Sequence, residues 1–174
     1  MPTISATDIL VDAFTRVSES VHRVLNGLTD DELTARVDPG ANTIAWLIWH
    51  LTRVQDDHLA GVAGTEQLYT ASGWYERLGL ASGPRATGYG MSAEEVGAVS
   101  GFTPGQIGAY FEAVHEQTVG WVRLLEDEQL DRVVDDAYDP PVTLAARLVS
   151  VINDATQHVG QAAFVRGSIR RQNG

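Results

Sequence analysis

The sequence predicts an all-α fold: a four-helix bundle with long irregular connections and short extra helices. Three observations predict it. Four long segments repeat apolar residues at three- and four-residue steps. Three of the four open on a residue suited to cap a helix. No stretch alternates convincingly enough to be a strand. At 174 residues the chain is read as one domain, residues 1–174, large enough to bury a real core.

The first long helix is expected from Thr7 to Leu25, with Leu10, Phe14, Val17, Val21, Val24 and Leu28 forming one stripe and Gly27 near its end. Thr29-Asp-Asp-Glu32 reads as a capping box that starts a short helix through about Val37. Asp38-Pro-Gly40 is a turn, and Asn42 or Thr43 then caps the second long helix. That helix carries Ile44, Leu47, Leu51, Val54 and His58 on one seam and ends between Gly61 and Gly64.

Residues 64–102 are the least regular third of the chain. Gly73-Trp-Tyr-Glu-Arg77 predicts a helical turn, and Ser92-Ala-Glu-Glu95 a cap and short helix. A connection of this length is usually functional, so it is read as a lid-like insertion over a site. Thr103-Pro-Gly-Gln106 combines an N-cap, a first-turn proline and a capping-box glutamine. It opens a third long helix with Ile107, Phe111, Val114, Thr118, Trp121 and Leu125 inward. Asp127 to Val134 reads as a short amphipathic helix, and Asp139-Pro-Pro141 as a break. Thr143 caps the last long helix, whose seam is Leu144, Leu148, Val151, Ala155, His158, Ala162 and Val165.

Composition narrows the function. A net charge of −11 argues against nucleic acid, which demands clustered cations, and against anionic membrane surfaces. No apolar run reaches the roughly 18 residues of a membrane helix. Met1-Pro-Thr-Ile-Ser-Ala has neither a basic nor an apolar leader region, so the expected location is cytoplasmic. There is no cysteine, which excludes thiolate ligands and a cysteine nucleophile; a reactive thiol must come from a ligand. All twelve basic residues are arginine, scattered along the chain, a skew that fits a GC-rich genome.

The chemistry concentrates at three positions. From Ile44 to Leu51 the second helix is apolar apart from His50, and a buried imidazole needs a partner. About a hundred residues later, Asp154 and His158 stand four apart, which places both on one helical face. His158 taken alone reads as a core histidine bonded to a carbonyl or to Asp154, and His50 alone as a rim histidine. Together they favour a metal ion held by His50, Asp154 and His158. Two imidazoles and a carboxylate leave positions open, as in catalytic zinc or non-haem iron(II) sites; nickel would also be accepted. Asp57 and His58 lie about two turns past His50, too far to share its ion, and are read as groups that hold a ligand or move a proton. His115 is the spare candidate for a fourth ligand, and His22 flanks the first stripe. Trp74, Tyr75 and Tyr89 read mainly as packing. Gly88-Tyr-Gly90 lacks the strand context of a nucleotide loop.

The motifs Ile44-Ala-Trp-Leu-Ile-Trp-His50-Leu and Asp154-Ala-Thr-Gln-His158-Val-Gly-Gln161-Ala resemble those of the DinB superfamily of four-helix metalloproteins. The branch they look most like is that of mycothiol-dependent maleylpyruvate isomerase and the mycothiol S-transferases. Asp154 stands where the family usually has His or Glu. The resemblance implies one divalent ion, zinc first, and transfer of a low-molecular-weight thiol such as mycothiol to a small electrophile. Trp46 and Gln161, within the matched motifs, are read as cofactor-binding. The alternative is a non-catalytic metal- or ligand-binding stress-response protein; metal-assisted hydrolysis is a third. Small bundles often pair through an exposed face, so a homodimer is expected.

Overall fold

The structure, a computed structural model, describes residues 4–172. Residues 1–3, where the sequence was searched for a leader, and 173–174, the end of the expected domain, lie outside the described residues. Eight helices follow in order: α1 (Ala6–Leu25), α2 (Asp30–Thr34), α3 (Ile44–Ala63), α4 (Leu68–Ala71), α5 (Trp74–Leu78), α6 (Ala93–Ala98), α7 (Pro104–Val122) and α8 (Leu144–Gln172). The long ones, α1, α3, α7 and α8, form the predicted bundle. Among the described residues no helix is long and apolar enough to cross a membrane.

Local chemistry sets most boundaries. Ser5 caps α1 and completes a capping box with Asp8, which the sequence reading missed. Thr29, Ser92 and Thr103 form the expected boxes, and Thr43 rather than Asn42 caps α3. Gly64, at φ 70°, closes α3 in the left-handed conformation that glycine adopts without penalty. The Thr143 hydroxyl accepts from the Ala146 amide at 3.2 Å, capping α8 as expected.

Three expectations are corrected. The helix after Thr29 stops at Thr34, short of Val37. Leu125 lies beyond the end of α7, at Val122. Asp127 to Val134 is not one helix: a 3-10 turn covers Asp127–Asp131, and strand β1 (Val133–Asp135) pairs antiparallel with β2 (Val142–Thr143). The β-branched Val133 and Val134 favour extended backbone once a partner strand is near. This hairpin leaves the fold all-α.

The helix order around the bundle is α1, α7, α3, α8, so α1 and α3 are diagonal, as are α7 and α8. That arrangement makes α3 and α8 neighbours, antiparallel, although 80 residues separate the end of one from the start of the other. The apolar core divides into two clusters. One surrounds Trp46 and Trp49, and the other surrounds Phe14 and Leu148. Between Thr43 and Arg53 every residue is buried, so α3 is the central helix. The seam of α8 runs Ala155, Val159, Ala162; His158 is half-buried at its edge rather than in it.

Candidate metal centre

His50, Asp154 and His158 come together. Each offers a ligand atom, and the three atoms lie within 4.8 Å of one another. His50 is 5% exposed, because α3 is buried on all sides at this level. Asp154 and His158 approach from α8 on a single face, as the four-residue spacing requires.

Both imidazoles are oriented by carbonyls. His50 Nδ1 donates to the Thr87 carbonyl, and His158 Nδ1 donates to the Asp154 backbone carbonyl at 2.8 Å. A carbonyl only accepts, so each Nδ1 carries the proton and each Nε2 is left with its lone pair free. This is the arrangement by which metal-binding histidines are commonly fixed. Trp46 stacks flat on His50, with ring centroids 4.5 Å apart and 9° between planes, while its Nε1 donates to the Met91 sulfur at 3.4 Å. The ring of His158 stands edge-on to His50 at 4.6 Å.

Electrostatics separate the three groups. Burial pushes the His50 pKa down, which keeps the ring neutral. Pairing with the Asp154 carboxylate raises the His158 pKa. Burial alone would raise Asp154, but the neighbouring histidines, His158 foremost, outweigh it and the net shift is downward. The closest approach of the pair, His158 Nδ1 to Asp154 Oδ2, is 3.4 Å. Asp154 Oδ2 is nevertheless buried without a hydrogen bond. An ionised oxygen held out of water, with the His158 Nδ1–H no nearer than 3.4 Å, is undersatisfied, and a cation held by it and by the two Nε2 lone pairs would satisfy it. The donor set fits a divalent ion with open positions.

Residues 87–91 of the 64–102 segment pack against this cluster. Besides the Thr87 carbonyl they supply Gly88, at φ 97°, where a Cβ would come within 2.8 Å of His50 Nδ1 and 3.1 Å of the Trp49 ring. Only glycine lets backbone pass this close. A second buried group fastens the insertion down. The Arg53 guanidinium donates to Gln67 Oε1 at 2.8 Å and the Ala86 carbonyl at 3.0 Å, and lies 4.2 Å over the Tyr69 ring. Asp56, 3.5 Å from Arg53, accepts from the Leu68 and Tyr69 amides and the Tyr110 hydroxyl. The sequence reading missed Arg53, Asp56, Thr87, Gly88 and Met91. The glycine pair at 88 and 90 was the one available signal for this contact.

Other expected residues fall outside the cluster. Asp57 Oδ1 accepts from Gln67 Nε2 at 2.6 Å. His58 Nδ1 lies 3.0 Å from Arg147, and both Asp57 and His58 line a neighbouring cavity. Trp46 touches the cluster by stacking on His50. Gln161 stands exposed on α8, one turn beyond His158. His115, the expected spare ligand, stacks on Phe111 at 6.0 Å, and His22 pairs with Glu112 at 3.1 Å; neither joins the three. Trp74 and Tyr75 pack against Tyr110 and Tyr69, whereas Tyr89 is 94% exposed.

Comparison with known proteins follows the same lines. Residues 13–162 match the profile of the DinB superfamily. A crystal structure of a conserved protein from Enterococcus faecalis is similar over 95% of this chain and 98% of that one, with 26% identity and a TM-score of 0.89. No curated protein matches the chain.

Proposed function

The chain belongs to the DinB superfamily, and from that premise we propose that it is a divalent-metal-dependent transferase of a low-molecular-weight thiol, of the mycothiol kind, to small electrophiles. The observation that carries the reading is the orphaned Asp154 Oδ2 beside two imidazoles whose Nδ1 atoms are already engaged. In this reading His50 and His158 hold the ion through Nε2, and Asp154 through Oδ2. When bound, a divalent ion, zinc first among zinc, nickel and iron(II), lowers the pKa of an incoming thiol so that it is nucleophilic at neutral pH.

The chain's own residues supply the rest. The Thr87 and Asp154 carbonyls hold both imidazoles in the binding tautomer. Trp46 and Gly88 close one side of His50 against water. Asp57 and His58 line the cavity wall and in this reading hold the cosubstrate, His58 as a donor through Nε2 and Asp57 as the group that takes up its proton. Aspartate is a methylene shorter than the glutamate usual in the family, and it still brings a carboxylate oxygen within 4.8 Å of a ring nitrogen of each histidine.

The test is thiol transfer by metal-replete and metal-depleted protein, with mycothiol and other small thiols against a panel of electrophiles. Metal-dependent acceleration that disappears in His50→Ala is the expected result. A non-catalytic metal- or ligand-binding role gains support from one observation: His58 lines the neighbouring cavity, and the three cluster residues do not. Full metal loading with no acceleration for any thiol would favour that role.

A further inference from the structure

Arg85, Arg132 and Arg147 line a single cavity of about 920 Å³. This is a quarter of the arginines of a chain whose net charge is −11. The volume is at the upper end of that of small-molecule sites; Thr65 and Gln67 add polar groups to its wall, and Asp57 and Glu66 add two carboxylates, which leaves the lining with one net positive charge.

Arg147 is held in place by the protein. Its Nη2 donates to Asp135 Oδ2 at 2.9 Å and its Nη1 donates to His58 Nδ1 at 3.0 Å, with 19% of the side chain exposed. A guanidinium has five N–H donors, so most of its fork is still available to a ligand. Because His58 accepts at Nδ1, its proton sits on Nε2, a second donor beside the first. The hairpin gains a purpose here, since β1 delivers Asp135 to Arg147. His58 is eight residues past His50, and Arg147 is seven before Asp154. On antiparallel α3 and α8 both offsets run the same way, placing this arginine about 10–12 Å from the metal cluster.

We propose that this cavity binds the carboxylate end of a small hydrophilic cosubstrate, with Arg147 as the anchor. Arg85 and Arg132 add positive charge around it. Arg147 accepts a carboxylate through paired N–H donors, the geometry that distinguishes arginine from lysine. The inference rests on the thiol-transfer reading insofar as the other end of the same molecule reaches the ion. Mycothiol itself carries no carboxylate, so the molecule held here is the electrophile, elongated and with its charge about 10 Å from its reacting head.

The test uses glutarate, a dicarboxylate with no thiol, and its neutral analogue glutaramide, titrated calorimetrically into the full chain without metal. Glutarate should bind saturably and glutaramide should not. Arg147→Gln should weaken glutarate at least about tenfold, the loss of one charge-assisted pair. Arg85 is exposed and makes no hydrogen bond among the described residues, so Arg85→Gln cannot act by unfolding the chain; it should weaken glutarate about threefold by lost charge. Equal affinity for glutarate and glutaramide, or no weakening in either variant, overturns the proposal. A parallel cobalt(II)-loaded sample given 2-mercaptoethanol tests the thiol reading alone, through a sulfur-to-cobalt absorption band. A band without glutarate binding sinks the cavity proposal and spares the thiol reading. Glutarate binding without a band does the reverse.

Discussion

Helix α3 carries two buried polar groupings one turn apart, and they are built on opposite principles. Around Arg53 and Asp56 the charges are matched: a guanidinium meets a carboxylate, a carbonyl, an amide oxygen and an aromatic face, and the carboxylate meets two amides and a hydroxyl. Around His50 they are not: two imidazoles and a carboxylate meet, and Asp154 Oδ2 is left without a hydrogen bond, its neighbouring donor the His158 Nδ1–H at 3.4 Å. A closed network holds structure together, while one left short of positive charge holds a place for a ligand. The first fastens the insertion; the second packs against its residues 87–91.

The largest effect expected from this contrast is at Asp56. Asp56→Ala strands a buried guanidinium and releases two amides and the Tyr110 hydroxyl, a loss of about 3–5 kcal/mol in urea unfolding. A loss below about 1 kcal/mol would mean that the closed network is not what holds the insertion.

Asp154 should behave in the opposite way. In metal-free protein Asp154→Asn removes a partly exposed carboxylate paired only at 3.4 Å with His158, so stability should stay within about 1 kcal/mol of wild type. Zinc at about 100 times its Kd should stabilise wild type by about 2.7 kcal/mol and leave the variant unmoved. Thermal unfolding with and without zinc measures both.

Gly88→Ala tests the contact between the two groupings. The positive φ and the 2.8 Å approach to His50 Nδ1 together predict a loss of about 1–3 kcal/mol. Disturbing the Thr87 carbonyl should also weaken zinc about 10- to 100-fold, as read by competition with a chelator.

The smallest effect lies away from both groupings. The Arg170 guanidinium and the Thr29 amide hold the Glu32 carboxyl at about 2, well below its ordinary 4.5. A depressed carboxylate stabilises fully above its unfolded pKa, and that contribution is lost as pH falls through the folded one. Glu32→Gln keeps the capping box and removes the charge. The melting-temperature gap to wild type should be constant above about pH 5 and close as pH falls toward 2. A gap that widens on acidification would contradict the pairing.

The contrast also explains what the sequence revealed. His50 was legible because it interrupts an apolar run, and the i, i+4 spacing of Asp154 and His158 fixed their common face. The boxes at Thr29, Ser92 and Thr103 were legible because capping is decided within four residues. Arg53 and Asp56 were not, since an ionisable pair on a helix ordinarily faces water. Their partners Gln67, Tyr110 and the Leu68 amide lie 12 to 57 residues away and have no shared local pattern. Thr87 acts through its backbone carbonyl, which leaves no trace in residue type. His158 was placed in the seam because a three-residue step from Ala155 is as regular as the four-residue step to Val159 that the helix takes. Val133 and Val134 fall inside the predicted helix because a three-residue strand is too short to display a period of two.

The most direct test of the account is the metal content of purified, zinc-replete protein, measured by elemental analysis in wild type, His50→Ala, Asp154→Ala and His158→Ala, with Asp57→Ala as the control. The account predicts about one ion per chain in wild type and in Asp57→Ala, and near none in the other three. Full occupancy in Asp154→Ala, or an empty wild type under saturating zinc, would contradict it.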